Sequence, residues 1–215
     1  MENLIANQVL DALAWRYATK VFDASRKLDQ EQLQLLMQAI QLAPSSYGLQ
    51  PYQVVVVENQ EIKEQLKAAA YGQSQLADAS HIFIFAINKN FTETHVDEFV
   101  ENIVKTRNIE VGAVKGYLDV MKNTVNSRSQ EELAIWNAKQ AYIALGVLLE
   151  TAALHEIDAC PMEGFDHAKF DEILGLEDRN LTSVVIAPVG FRSIEDAYQF
   201  YQKVRKSKED LFIHI

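Results

Sequence analysis

Two pairs of cations are the first groups in this sequence with the chemistry to hold a ligand. Arg16-Tyr17-Ala18-Thr19-Lys20 sets two positive side chains four residues apart, and Lys203-Val204-Arg205 sets two more at a separation of two. A separation of four brings side chains to one side in a helix and in a strand alike, and a separation of two does so in an extended segment. A phosphomonoester is gripped by two or three charge-assisted donors, which an Arg fork and a Lys point charge supply. Spacing alone leaves a second reading open, that these are ordinary solvated surface cations. Pro44-Ser45-Ser46-Tyr47-Gly48-Leu49-Gln50-Pro51 offers hydroxyls, an amide, a permissive glycine and two stiff prolines, the content of a ligand-binding loop or of a plain helix-to-strand connection. Cys160-Pro161-Met162-Glu163-Gly164-Phe165 follows a short predicted strand, Ile157 to Ala159. Gly164 lets a ligand approach the backbone, where a free N–H would donate to a ring nitrogen or oxygen. The same stretch also reads as a strand-to-helix turn capped by Asp166. Cys160 has no base partner in the sequence and reads as an inert buried thiol, while His81 and His155 adjoin apolar segments and read as structural.

These groups sit in a chain of 215 residues with a formal charge of −10, of which 48% is hydrophobic and 23% charged. Such a composition is that of a folded globular protein, and 215 residues suffice for one large domain. The acidic balance repels phosphate polymers and anionic membranes, so neither nucleic acid nor membrane is an expected partner. One cysteine makes no internal disulfide and no cysteine-based zinc site, and the five histidines form no ligand spacing such as H-E-x-x-H. A reducing, cytoplasmic location fits, and the first residues lack the basic and apolar stretches of a signal peptide. There is no G-x-G-x-x-G after a strand, no P-loop and no G-x-S-x-G elbow, so a Rossmann dinucleotide site, a P-loop and a serine triad have no support.

The elements that must position the candidate residues follow from periodicity. Ile5, Val9, Ala12 and Leu13 predict an opening helix that ends near Trp15. Asp29 with Gln32 forms a capping-box signature for a helix that stops at Pro44. Val54–Val57, His81–Ile87 and Ser183–Val189 are apolar runs without alternation, the pattern of strands covered on both faces. A short helix after Asn59 lies between the first two, which argues for an α/β or α+β sandwich over a barrel. The stretch 94–125 reads as helical throughout, with two apolar stripes. Ser129 with Glu132 opens a long helix that is apolar on nearly every face from Ala141 onward, so protein must surround it, and a partner subunit is one source of cover. Leu211–Ile215 is an apolar, β-prone chain end that is expected to pair, within the subunit or with another.

Taken together, Arg16–Asp23, Ala43–Tyr52, Asp78–His81, Ala138–Gln140, Pro161–Asp166 and Lys203–Arg205 resemble, in order and spacing, the nitroreductase family of FMN enzymes. The resemblance is greatest to the oxygen-insensitive NAD(P)H nitroreductases and their quinone, flavin and dihydropteridine reductase relatives. It implies one α+β sandwich domain over 1–215, a central, mainly antiparallel sheet flanked by helices, in an intertwined homodimer with FMN at the interface. It implies that Arg16, Lys203 and Arg205 hold the FMN phosphate and that Lys20 lies near the pyrimidine ring. From the other subunit, Pro44, Ser45, Ser46, Gly48 and Gln140 contact the flavin. Pro161, Met162, Glu163 and Gly164 lie against the ring, with the backbone N–H of Glu163 or Gly164 near N5. Three positions depart from the family pattern: Ala18 stands where relatives often have Ser, Gly48 where many have Asn, and Gln75 where some have a flavin-contacting Lys. Losing that lysine's charge is expected to shift redox potential or substrate preference. The implied activity is ping-pong hydride transfer from NADH or NADPH to a nitroaromatic, quinone or similar small acceptor, with the chemistry on the flavin and no obligatory side-chain acid or base. The segment 94–125 corresponds to the family's substrate channel. A non-catalytic flavin carrier of the same fold, and an interaction module without cofactor, are the competing readings.

Overall fold

The computed structural model describes residues 2–215, with side chains from Asn7 onward, so the Ile5 side chain of the predicted first stripe lies outside the described residues. Its elements run α1 (Glu2–Trp15), α2 (Gln30–Gln41), β1 (Tyr52–Val57), α3 (Gln60–Ala69), α4 (Gln75–Asp78), β2 (His81–Asn88), α5 (Glu93–Arg107) and α6 (Lys115–Asn126). They continue as α7 (Gln130–Leu154), β3 (Asp158–Ala159), α8 (His167–Leu174), β4 (Leu181–Gly190) and α9 (Lys208–Leu211). The four strands form one sheet in the order β1-β2-β4-β3, every neighbouring pair antiparallel. This is an α+β sandwich.

Strand β2 is central, and its period of two divides the core. Phe83, Phe85 and Ile87 pack with Leu36 and Ile40 of α2 and with Ala141, Leu145 and Leu148 of α7. Ile82 and Ile84 turn to the opposite layer, against Leu66 of α3, Phe170 of α8 and Phe22. A third cluster, including Phe91, Val96, Val100, Met121, Val125 and Leu133, fastens α5 and α6 to the first half of α7. The capping boxes at Asp29 with Gln32 and Ser129 with Glu132 are both formed, and the Asn59 side chain accepts from the Ile62 N–H. The helical excursion is broken where the sequence reads as continuous. Asn108 ends α5 in the left-handed region at φ 51°, a conformation its short polar side chain tolerates, and a 3₁₀ turn at Val111–Val114 leads into α6.

Lys63 on α3 is fully buried, and its Nζ donates to the Ala79 carbonyl at 2.7 Å. Lys27 Nζ donates to the same oxygen at 3.4 Å. Burial foremost, and then Lys27 beside it, pull the Lys63 ammonium down to about 8. In the unfolded chain this amine keeps its proton to the ordinary lysine value, so above about pH 8 the unfolded state binds more protons and stability rises with pH until that value is passed. Urea unfolding at about pH 7.5 and about pH 9.5 should show wild type gaining on Lys63→Met by on the order of 1 kcal/mol. A difference independent of pH would remove the ammonium from the account.

Candidate functional site

Arg16–Asp23 leaves α1 as extended chain. Ala18 bridges in parallel to Ala159, Phe22 bridges antiparallel to Arg192, and Ser193 N–H donates to the Val21 carbonyl at 2.9 Å. In this conformation Arg16 and Lys20 face one way, and both line a cavity of about 410 Å³ together with Ala18, Tyr198, Lys203 and Arg205. Four cations from opposite ends of the sequence thus meet, and Lys203 Nζ donates to the Arg16 carbonyl. Burial first, then the charge of Arg205, lowers the Arg16 pKa. Burial, then Arg16, Arg205 and Arg192, lowers that of Lys203. Among the described residues none of the four makes an ion pair. A pocket that gathers unpaired like charges in an acidic protein is matched to a small anion of high charge, and a phosphomonoester fits this donor set.

The 160–164 segment begins beside one of these cations. Lys20 Nζ lies 3.9 Å from Cys160 Sγ. Burial pushes the Cys160 thiol up, which keeps it protonated and agrees with the inert reading. Met162 exchanges two backbone hydrogen bonds with Ile186, at 2.8 and 3.0 Å, which pins the segment to β4. Beyond it, Glu163 and Gly164 are exposed, and among the described residues neither backbone N–H donates to an acceptor. Two side chains brace this pair: Gln73 Nε2 donates to the Gly164 carbonyl at 2.8 Å, and Tyr142 donates to Glu163 Oε1 at 2.5 Å. Burial, with the Glu163 carboxylate, pushes the Tyr142 phenol up to about 12. Gln75 is buried, its amide 3.5 Å from Gln73 Oε1. A Cβ at Gly164 would meet nothing nearer than Gln73 Nε2 at 3.8 Å. The chain itself leaves that space open, which fits close approach by a planar ring.

Pro44, Ser45, Ser46, Gly48 and Gln140 form a separate group, none of which lines the cation cavity. Ser46 N–H donates to Gln140 Oε1 at 2.8 Å, and Gln140 Nε2 donates to the Trp136 carbonyl at 2.9 Å, so the loop is hung on α7. Left-handed residues Tyr47 (φ 59°), Gly48 (φ 82°) and Gln50 (φ 43°) fold it tightly. The Tyr47 hydroxyl lies 3.0 Å from Thr124 Oγ1, and Tyr117 donates to the Tyr47 carbonyl at 3.1 Å, tying the loop to α6.

Sequence reasoning missed the supports beneath the cations. Asp158 on β3 is buried and accepts from the Arg192 N–H and Nε, each at 2.8 Å, and from Thr19 Oγ1 at 3.3 Å. The Arg192 guanidinium lies 4.0 Å from the Trp15 ring centroid and 4.6 Å from that of Tyr17. A lone Asp in a short strand carries no sequence signal of this role. Asp196 is a second such support; its only local mark is a position that caps the 3₁₀ turn Ala197–Phe200. Among the described residues no His, Cys, Asp and Glu cluster is suited to a metal, and no helix is long and apolar enough to cross a membrane.

A protein of Staphylococcus saprophyticus provisionally named an NAD(P)H nitroreductase is 34% identical over 211 residues, 94% of each chain. A Bacillus subtilis structure described provisionally as a nitroreductase superposes with a TM-score of 0.87 at 20% identity, covering 98% of this chain and 100% of that one. A similarly described structure from Exiguobacterium sibiricum, solved in complex with FMN, gives a TM-score of 0.81 at 17% identity and covers 96% of this chain and 97% of that one. The sequence profile of the nitroreductase family matches residues 13–191, and the chain belongs to that family.

Proposed function

We propose that this chain is an FMN-dependent NAD(P)H oxidoreductase, a single-domain subunit of a homodimer that reduces quinones, nitroaromatics or related acceptors in a ping-pong cycle. The observation that carries the reading is the convergence of Arg16, Lys20, Lys203 and Arg205 on one cavity, with Lys20 also beside Cys160 at the head of the segment that carries the free N–H groups of Glu163 and Gly164. Arg16, Lys203 and Arg205 hold the phosphate, and Lys20 favours negative charge on the pyrimidine side. Pro161 and Met162 support the ring, and Glu163 or Gly164 donates a backbone hydrogen bond to N5. FMN held by these residues would supply two-electron hydride chemistry between the nicotinamide and the acceptor. Ala18 and Gln75 add no charge there, so the lysine that some relatives carry at the Gln75 position has no counterpart. The names of the relatives, and the FMN in the Exiguobacterium structure, support cofactor and donor alike.

Association into a dimer is supported by surfaces that one chain leaves bare. Ile135 and Ile143 of α7 are 53% and 43% exposed, and Phe212 and Ile213 of the tail are 56% and 89% exposed. Strand β1 ends the sheet with one edge unpaired. Within the subunit the chain end forms no strand, so the pairing expected of Leu211–Ile215 falls to a second copy. Pro44, Ser45, Ser46, Gly48 and Gln140, none of which lines this subunit's cation cavity, then serve the flavin of the other.

The test is the visible spectrum of the purified protein. A flavin band should bleach on addition of NADPH or NADH under anaerobic conditions and return with a quinone. A colourless protein that takes up no FMN overturns the proposal, and bound FMN that never bleaches identifies a carrier. Initial rates should give parallel double-reciprocal lines, and intersecting lines would refute the ping-pong order.

A further inference from the structure

Asp196 has no exposed surface, yet its carboxylate accepts four hydrogen bonds. Oδ2 takes the Tyr17 hydroxyl at 2.9 Å, the Lys20 N–H at 2.8 Å and the Val21 N–H at 3.1 Å, while Oδ1 takes the Tyr198 N–H at 3.0 Å. Three of these donors belong to the extended segment that carries Arg16 and Lys20. The fourth opens the 3₁₀ turn that feeds the chain into Lys203 and Arg205. A single buried group therefore joins the two segments whose cations must meet. We propose that Asp196 is a positioning residue of the anion site, setting the distance between Arg16 and Lys20 on one side and Lys203 and Arg205 on the other. The proposal rests on the reading that these cations hold the FMN phosphate.

A carboxylate beside a phosphate site would ordinarily weaken it by repulsion. Here burial removes the group from the cavity surface, and its lone pairs are directed at backbone N–H groups and a phenol. Burial works to raise the Asp196 pKa, but the N–H groups of Lys20 and Val21, with Tyr17 and Tyr198, hold it below the ordinary carboxylate value. It therefore stays ionised and fully engaged at neutral pH, and the four cations remain unpaired for an external anion. An amide of the same shape has only one accepting oxygen, and its NH₂ would face a donor it cannot pair with. Asp196→Asn should thus loosen one of the two segments while preserving volume.

The readout is the choice between FMN and riboflavin, which differ only in the phosphate. Holoprotein is equilibrated with excess equimolar FMN and riboflavin, and the ratio of the two flavins retained after gel filtration is measured. Wild type should retain FMN almost alone. Asp196→Asn should lower the retained FMN-to-riboflavin ratio by roughly 10–100-fold. Tyr17→Phe, which removes a single donor and keeps the ring, should lower it by a few-fold. This second variant decides the matter if Asp196→Asn does not fold. A merely structural Asp196 would lower total flavin, or thermal stability, at an unchanged ratio, and that result overturns the proposal. The double variant Lys203→Ala/Arg205→Ala separates the two readings. If it too keeps the wild-type ratio, the phosphate assignment fails. If it abolishes FMN preference while Asp196→Asn and Tyr17→Phe leave it intact, only the positioning role is lost.

Discussion

Replacing Lys203 and Arg205 together by alanine is expected to give a protein that purifies without its yellow colour. Each charge-assisted contact to a phosphate contributes about 1.5–3 kcal/mol. Loss of two weakens FMN by about 3–6 kcal/mol, or roughly 10²–10⁴-fold. The effect on the flavin-free protein should have the opposite sign. Arg16 and Lys203 are held below their ordinary pKa values in part by Arg205, so removing two of the four cations relieves repulsion that, among the described residues, no ion pair to these four offsets. FMN fluorescence titration should therefore show a large loss of affinity while the melting temperature without flavin holds or rises. Unchanged FMN occupancy would remove the phosphate assignment.

The largest expected effect on stability is at Asp158. Its side chain is 4% exposed and pairs with Arg192, whose side chain is 18% exposed with its guanidinium also lying over the Trp15 and Tyr17 rings. Asp158→Ala leaves that half-buried cation without its counter-charge and removes acceptors from the Arg192 N–H and from Thr19. Breaking such a pair from one side costs about 3–5 kcal/mol. Total stabilities are about 5–15 kcal/mol, so the variant should be marginal at ambient temperature. Urea denaturation should place its midpoint far below wild type. Pairing Asp158→Ala with Arg192→Met should recover part of the loss, because the stranded charge goes with it. A cost under about 1 kcal/mol for Asp158→Ala would mean that the guanidinium finds solvent once released.

What the sequence made legible is what lies within a few residues of its cause. Asp29 with Gln32 and Ser129 with Glu132 are caps whose two halves sit three positions apart, and both form as expected. The unbroken apolar runs of β2 and β4 point to strands covered on both faces, and these strands lie at the centre of the sheet. The failure at Asn108 is a different case. Stripes of Val and Ile continue on both sides of it, so periodicity alone carries no mark of a break that one left-handed residue supplies. The site divides the same way. Spacing placed Arg16 beside Lys20 and Lys203 beside Arg205, but bringing the pairs together depends on contacts such as Tyr17 with Asp196, 179 residues apart. Only the order of six short motifs, read as a family resemblance, anticipated that meeting. Asp158, Asp196 and Gln73 stayed invisible because a buried acceptor or amide is identified by its partners, and its own neighbours in the chain do not name them.

The turn at Gly48 bears on how this site is free to vary. Its φ of +82° already disfavours a side chain, and a Cβ there would lie 3.2 Å from Phe99 Cζ. Asn tolerates such a backbone, yet Phe99 would still have to give way. The two positions are therefore epistatic: a bulkier residue at Gly48 is tolerated more readily after Phe99 has become smaller than before. Since α5 and the Pro44–Pro51 loop meet at this contact, a lineage that remodels the helical excursion first opens changes in the loop that a lineage starting from the loop finds closed.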